Sequence, residues 1–105
     1  MEEYIQVTTT VERKEDAQML SRRLVEARAA ACVQVLGPME STYRWEGKVE
    51  VSQEWLCLIK TERRLFEAVQ QVIRGVHPYE VPELIALPVI AGSEEYLEWV
   101  SRATR

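Results

Sequence analysis

Between Tyr4 and Val11 the chain alternates in part and gathers β-branched residues (Ile5, Val7, Thr8, Thr9, Thr10, Val11), a pattern that predicts a strand. From Lys14 the period lengthens. Ala17, Leu20, Leu24 and Ala27 recur at three- and four-residue spacing while Arg22, Arg23, Glu26 and Arg28 fall mostly on the other side, which predicts an amphipathic helix over 14–28. Ala29 to Leu36 reads as a buried strand that Gly37-Pro38 interrupts and Met39 to Trp45 continues. Glu46-Gly47 supplies a tight turn, and Val49 to Thr61 returns as a long strand whose centre, Trp55-Leu56-Cys57-Leu58-Ile59, has the unbroken apolarity of a segment buried on both faces. Thr61-Glu62 opens a second helix with an apolar stripe of Leu65, Phe66, Val69, Val72 and Ile73, and Gly75 is placed to stop it. Glu83 to Val89 is a fourth strand. Ser93 then has the character of an N-cap, with Glu94-Glu95 in the first turn of a helix carrying Tyr96, Leu97, Trp99 and Val100.

This order of strand, helix, strand, strand, helix, strand and terminal helix predicts an α+β chain of the ferredoxin-like split βαβ type. Both crossovers are right-handed, on one face of an antiparallel four-stranded sheet. At 105 residues the chain has the modal size of one domain, so residues 1–105 are expected to share one core. One length is out of proportion. From Val33 to Trp45 the second strand spans about 43 Å at roughly 3.3 Å per residue, whereas a domain of this size is only about 33 Å across. The hairpin should overhang, carrying Met39, Tyr43, Trp45, Val49 and Val51 on an exposed edge that templates pairing with another chain. A closed homo-oligomer is the expectation, the alternative being that Gly37-Pro38 bends the hairpin back over its own sheet.

Composition narrows the function. A net charge of −4 and a pI near 5.1 disfavour nucleic-acid binding, which requires a basic surface. The Arg22-Arg23 and Arg63-Arg64 pairs are interleaved with acids and read as solvated helix faces. No run approaches the ~18 apolar residues of a membrane span, and Met1-Glu2-Glu3-Tyr4 lacks signal-peptide character, so no membrane insertion and a cytoplasmic location are expected. Cys32 and Cys57 lie in apolar surroundings without metal-motif spacing and read as small buried hydrophobes in a reducing compartment. Ten arginines against three lysines would suit surface ion-pair networks.

The chemistry concentrates in His77-Pro78-Tyr79-Glu80-Val81-Pro82-Glu83-Leu84, where the only histidine lies between a helix end and a strand start. Each proline fixes its own φ and drives the preceding residue extended, which makes the segment stiff. An imidazole here is a candidate metal ligand, although a lone histidine next to a proline is more often a hydrogen-bonded helix terminator.

Ala29-Ala30-Ala31-Cys32-Val33, Tyr43-Arg44-Trp45-Glu46-Gly47-Lys48, Lys60-Thr61, the His77–Leu84 segment and Tyr96-Leu97-x-Trp99 together resemble, in order and spacing, the CutA divalent-cation tolerance family. The resemblance implies a ferredoxin-like subunit, a PII-like homotrimer built by hairpin exchange, a cytoplasmic bacterial setting and a role in tolerance of divalent metal ions, chiefly copper. Copper ligands proposed in such a family are a cysteine late in the first strand and two adjacent histidines before Pro-Tyr. This chain has Thr9 and Val76 at two of those positions, and only His77 matches.

Two functions follow. The first is copper tolerance with weak metal binding, or binding at subunit-shared sites, centred on His77 with help from Glu80 and Glu83. The second is a PII-like sensor that holds a small anionic ligand in inter-subunit clefts, where Tyr43, Trp45, Tyr79, Glu80 and Glu83 converge, and relays to an unidentified protein partner. Nucleotide binding lacks a glycine-rich cradle. An enzyme is not expected: the lone histidine has no nucleophile partner, and Glu46, Glu50 and Glu54 read as solvated charges.

Overall fold

In the computed structural model, which describes residues 3–105, the elements are β1 (Tyr4–Val11), α1 (Lys14–Glu26), β2 (Cys32–Trp45), β3 (Lys48–Glu62), a 3-10 turn (Arg63–Leu65), α2 (Phe66–Val76), β4 (Ile85–Pro88) and α3 (Glu94–Ala103). The strands form one antiparallel sheet in the order β2-β3-β1-β4, the ferredoxin-like arrangement that the element order predicts. Side chains alternate across the sheet. Ile5, Val7, Thr9 and Val11 of β1, with Trp55, Cys57 and Ile59 of β3, meet Ala17, Leu20 and Leu24 of α1 and Val69 and Ile73 of α2 to make the core. Tyr4, Thr8, Thr10, Leu56, Leu58 and Glu62 lie on the opposite face. The centre of β3 is thus buried on one face only; Leu56 and Leu58 are half-buried. Burial on both faces requires helices on both, and here α1 and α2 share one.

The third helix docks on that second face, through polar groups. Ser93 caps α3 by accepting the Tyr96 N–H at 3.2 Å. Ser101 Oγ donates to Glu62 Oε2 at 2.9 Å and pairs with the Tyr4 hydroxyl at 2.7 Å, while Thr104 Oγ1 and Arg64 bind Glu62 Oε1. Burial alone would raise the Glu62 pKa, but hydrogen bonds from Ser101, Arg64 and Thr104 and the Arg64 charge outweigh it and hold the carboxyl below its ordinary value. The other ion pairs are isolated and exposed rather than networked.

Several element ends differ from the sequence pattern, among them the start of the second helix: Thr61 and Glu62 belong to β3, and α2 begins at Phe66 after the 3-10 turn. Helix α1 stops at Glu26 because Arg28 turns left-handed (φ 59°) and the Ala29 N–H folds back to Leu24 O at 3.0 Å. Ala29–Ala31 are buried, as expected of small residues, yet they are not strand: the Thr61 hydroxyl binds Ala29 O at 2.6 Å. Gly75 does not stop α2, which runs to Val76; Pro78 forces His77 extended and ends it. Strand β4 is the short stretch Ile85–Pro88, at the sheet edge where prolines are tolerated.

The hairpin of β2 and β3 stays paired from Cys32↔Lys60 to Trp45↔Lys48, closed by Glu46 and Gly47, both at positive φ. It does not fold back. The chain measures 44 × 25 × 22 Å, and Tyr43, Trp45, Val49 and Val51 are each at least 40% exposed. Gly37 and Pro38 together oppose the single residue Trp55, since Leu36 pairs with Leu56 and Met39 with Glu54. A Cβ on Gly37 would lie 2.7 Å from the Trp55 ring, so only glycine fits.

Two substitutions test this packing. Gly37→Ala should lower unfolding free energy by about 2 kcal/mol through overpacking against Trp55. Thr9→Val should raise it by about 1 kcal/mol, because the fully buried Thr9 hydroxyl has no hydrogen-bond partner among the described residues. Guanidinium melts at matched protein concentration read both.

Candidate functional site

The stiff segment after α2 is tied to the sheet by one chain of hydrogen bonds. His77 Nε2–H donates to Thr10 O at 2.9 Å, and Nδ1 accepts the Tyr79 N–H at 3.1 Å. The imidazole therefore carries its proton on Nε2 and has its other lone pair engaged. Its ring packs edge-on to Tyr79, with centroids 4.8 Å apart. The Tyr79 hydroxyl then donates to Glu54 Oε2 at 2.7 Å, and Glu83 Oε2 accepts from Thr8 Oγ1 at 3.1 Å. Burial lowers the His77 pKa below its ordinary value, against the opposing pull of the Thr10 carbonyl and the Asp16 and Glu54 charges. Burial, then the Glu54 hydrogen bond and charge, push the Tyr79 hydroxyl far above its usual range and keep it a neutral donor.

This lock forms one wall of an open cleft of about 710 Å³ between the hairpin and the Tyr79–Glu83 loop. All five residues that the sequence groups as a ligand pocket (Tyr43, Trp45, Tyr79, Glu80 and Glu83) line it. His77 is not among the lining residues; it holds Tyr79 from behind. Sequence reasoning missed Thr10, Glu12 and Glu54. Glu54 is not the solvated charge expected of it: it is 7% exposed, beneath the Tyr79 hydroxyl, whereas Glu46 and Glu50 are exposed. The only signal in the sequence was its place directly before the apolar run Trp55–Ile59.

An anionic ligand does not suit these walls, which present Glu12, Glu54, Glu80 and Glu83 and neither lysine nor arginine. Nor does one subunit assemble a metal site. Among the described residues no three His, Cys, Asp or Glu side chains converge, and both His77 nitrogens are already used. Thr9 is sealed in the core and Val76 is half-buried and apolar. Burial pushes the Cys57 thiol up to about 11, which suppresses the thiolate that binds metal or attacks substrate.

The His77 lock predicts a pH response. A histidine whose folded pKa is depressed is disfavoured in its charged form, so its stabilising contribution is intact above the unfolded value of 6.5 and declines as pH falls below it. The Cε1 proton of His77 should titrate below 6.5 by NMR, with the Tyr79 amide shifting in parallel; a midpoint at or above 6.5 would contradict the buried neutral ring.

Comparison with known proteins agrees with this architecture. Residues 5–103 match the family model described as CutA1 divalent ion tolerance protein. The divalent-cation tolerance protein CutA of Thermus thermophilus is 41% identical over 99% of each chain. The chloroplastic protein CutA of Arabidopsis thaliana is 43% identical over 96% of this chain, which spans only 56% of that protein's length. The crystal structure of CutA from Xylella fastidiosa superposes with a TM-score of 0.95 at 39% identity, covering 98% of this chain and 99% of that one. With a ferredoxin-like sheet, a long hairpin and a family match across nearly its whole length, the chain belongs to the CutA divalent-ion tolerance family.

Proposed function

We propose that this chain, as one CutA-like domain over residues 1–105, serves divalent-cation tolerance as a cytoplasmic homotrimer and not as an enzyme. The observation that carries the reading is the overhanging hairpin: β2 and β3 project apolar residues that their own subunit does not cover, including Leu36 at 54% and Val49 at 64% exposed. Strand addition to a neighbour's sheet, repeated around a three-fold axis, would bury them. Family membership supports the cation role. In this reading divalent metal ions, copper among them, are held weakly by carboxylates such as Glu80 and Glu83 that neighbouring subunits bring together beside His77. The unbridged Cys32 and Cys57 suit a reducing compartment.

The cleft itself favours a second reading, a PII-like sensor that binds a small ligand and relays to a protein partner. Its volume of about 710 Å³ lies in the range of small-molecule sites.

Sedimentation velocity should give a species of three chains at micromolar concentration, and a stable monomer would overturn the assembly. Calorimetric titration of copper should show weak binding that His77→Ala reduces, since that change frees Tyr79 and the adjoining glutamates. Undiminished copper binding in His77→Ala would remove this segment from the metal site.

A further inference from the structure

The sensor reading leaves open what enters the cleft, and its walls are selective. Four carboxylates (Glu12, Glu54, Glu80, Glu83) face three aromatic rings (Tyr43, Trp45, Tyr79). A bare metal ion needs oxygens converging within about 2.6 Å of one point, and these carboxylates do not converge. They are spread along an aromatic surface instead. Tyr43 and Trp45 keep 40% and 44% of their surface open, and aromatic faces attract cations.

Glu54 is the most sheltered of these carboxylates. It is 7% exposed, lines the cleft, takes one hydrogen bond, from Tyr79 to Oε2, and has no salt-bridge partner among the described residues. No hydrogen bond to its Oε1 is formed among those residues. That oxygen is not sealed away, so it stays open to the cleft and can meet a cation entering it. The Tyr79 hydroxyl, steadied by the His77 lock, fixes the carboxylate's direction.

We propose that this cleft binds a small organic ammonium or guanidinium cation, its charged head against Glu54 and its hydrocarbon stem along Trp45 and Tyr43. Glu80 and Glu83, both exposed, take a second positive group near the mouth. The ligand class rests on the sensor reading and is separate from metal tolerance.

The test is calorimetric titration of the intact protein with spermidine and with agmatine, alongside ATP and magnesium chloride as anionic and point-charge controls. Saturable spermidine or agmatine binding is expected, weakening as salt rises, with magnesium giving none of comparable strength. Glu54→Gln keeps the size of the side chain and an acceptor for Tyr79, and should weaken binding at least tenfold. Trp45→Ala should weaken it too, read on protein that sediments as the wild type does, since the hairpin is also the proposed assembly surface. Binding of ATP but of neither amine would overturn the ligand class and leave a sensor standing; no binding of any probe would overturn both. Equal strength for magnesium, or amine binding unchanged in both variants, would also overturn the assignment.

Discussion

The contact of Gly37 with the Trp55 ring decides which way the outer hairpin faces. Because Gly37 and Pro38 share one partner, β2 shifts by one residue against β3, and the side-chain alternation beyond that point is inverted relative to an unbroken ladder. Without the extra residue, Tyr43 would pair with Val49 on the face of α1 and α2. With it, Tyr43 pairs with Glu50 and Trp45 with Lys48, on the side of Glu54 and Thr10. The cleft exists because of that inversion. The same two residues that look like an interruption in the sequence are what re-aim the aromatics, and the close approach requires a residue with no Cβ.

The opposite wall is held by a different kind of constraint. Two prolines stiffen the His77–Glu83 segment, which bends over Tyr79–Val81, and hydrogen bonds from His77 to β1 and from Tyr79 to β3 pin it across the sheet. His77 thereby serves as a strut. A ligand role would require a lone pair that the Tyr79 amide already occupies. Metal chemistry on one subunit is therefore poorly supported by geometry even though the chain belongs to a divalent-ion tolerance family. The carboxylates that could meet cations lie along the cleft, and they are dispersed.

The third helix shows that the second sheet face is only part covered. Glu62 gathers Ser101, Thr104 and Arg64 at one end, leaving Leu36, Ile85 and Leu87 at least half exposed elsewhere on that face. Apolar exposure on this scale, continuous with an overhanging hairpin, is the physical basis for an assembly.

The element order and the overhang of the hairpin could be read from the sequence, because each follows from local rules: period, turn chemistry, proline geometry and strand length. The helix end at Arg28 was less legible, since a left-handed residue acts through backbone conformation rather than hydrophobic pattern. The burial of Glu54 and the engagement of the His77 Nε2 were decided only by tertiary structure. Each depends on residues 25 to 67 positions away along the chain, Tyr79 for one and Thr10 for the other, and no local pattern carries information about a partner that only the sheet brings within hydrogen-bonding distance.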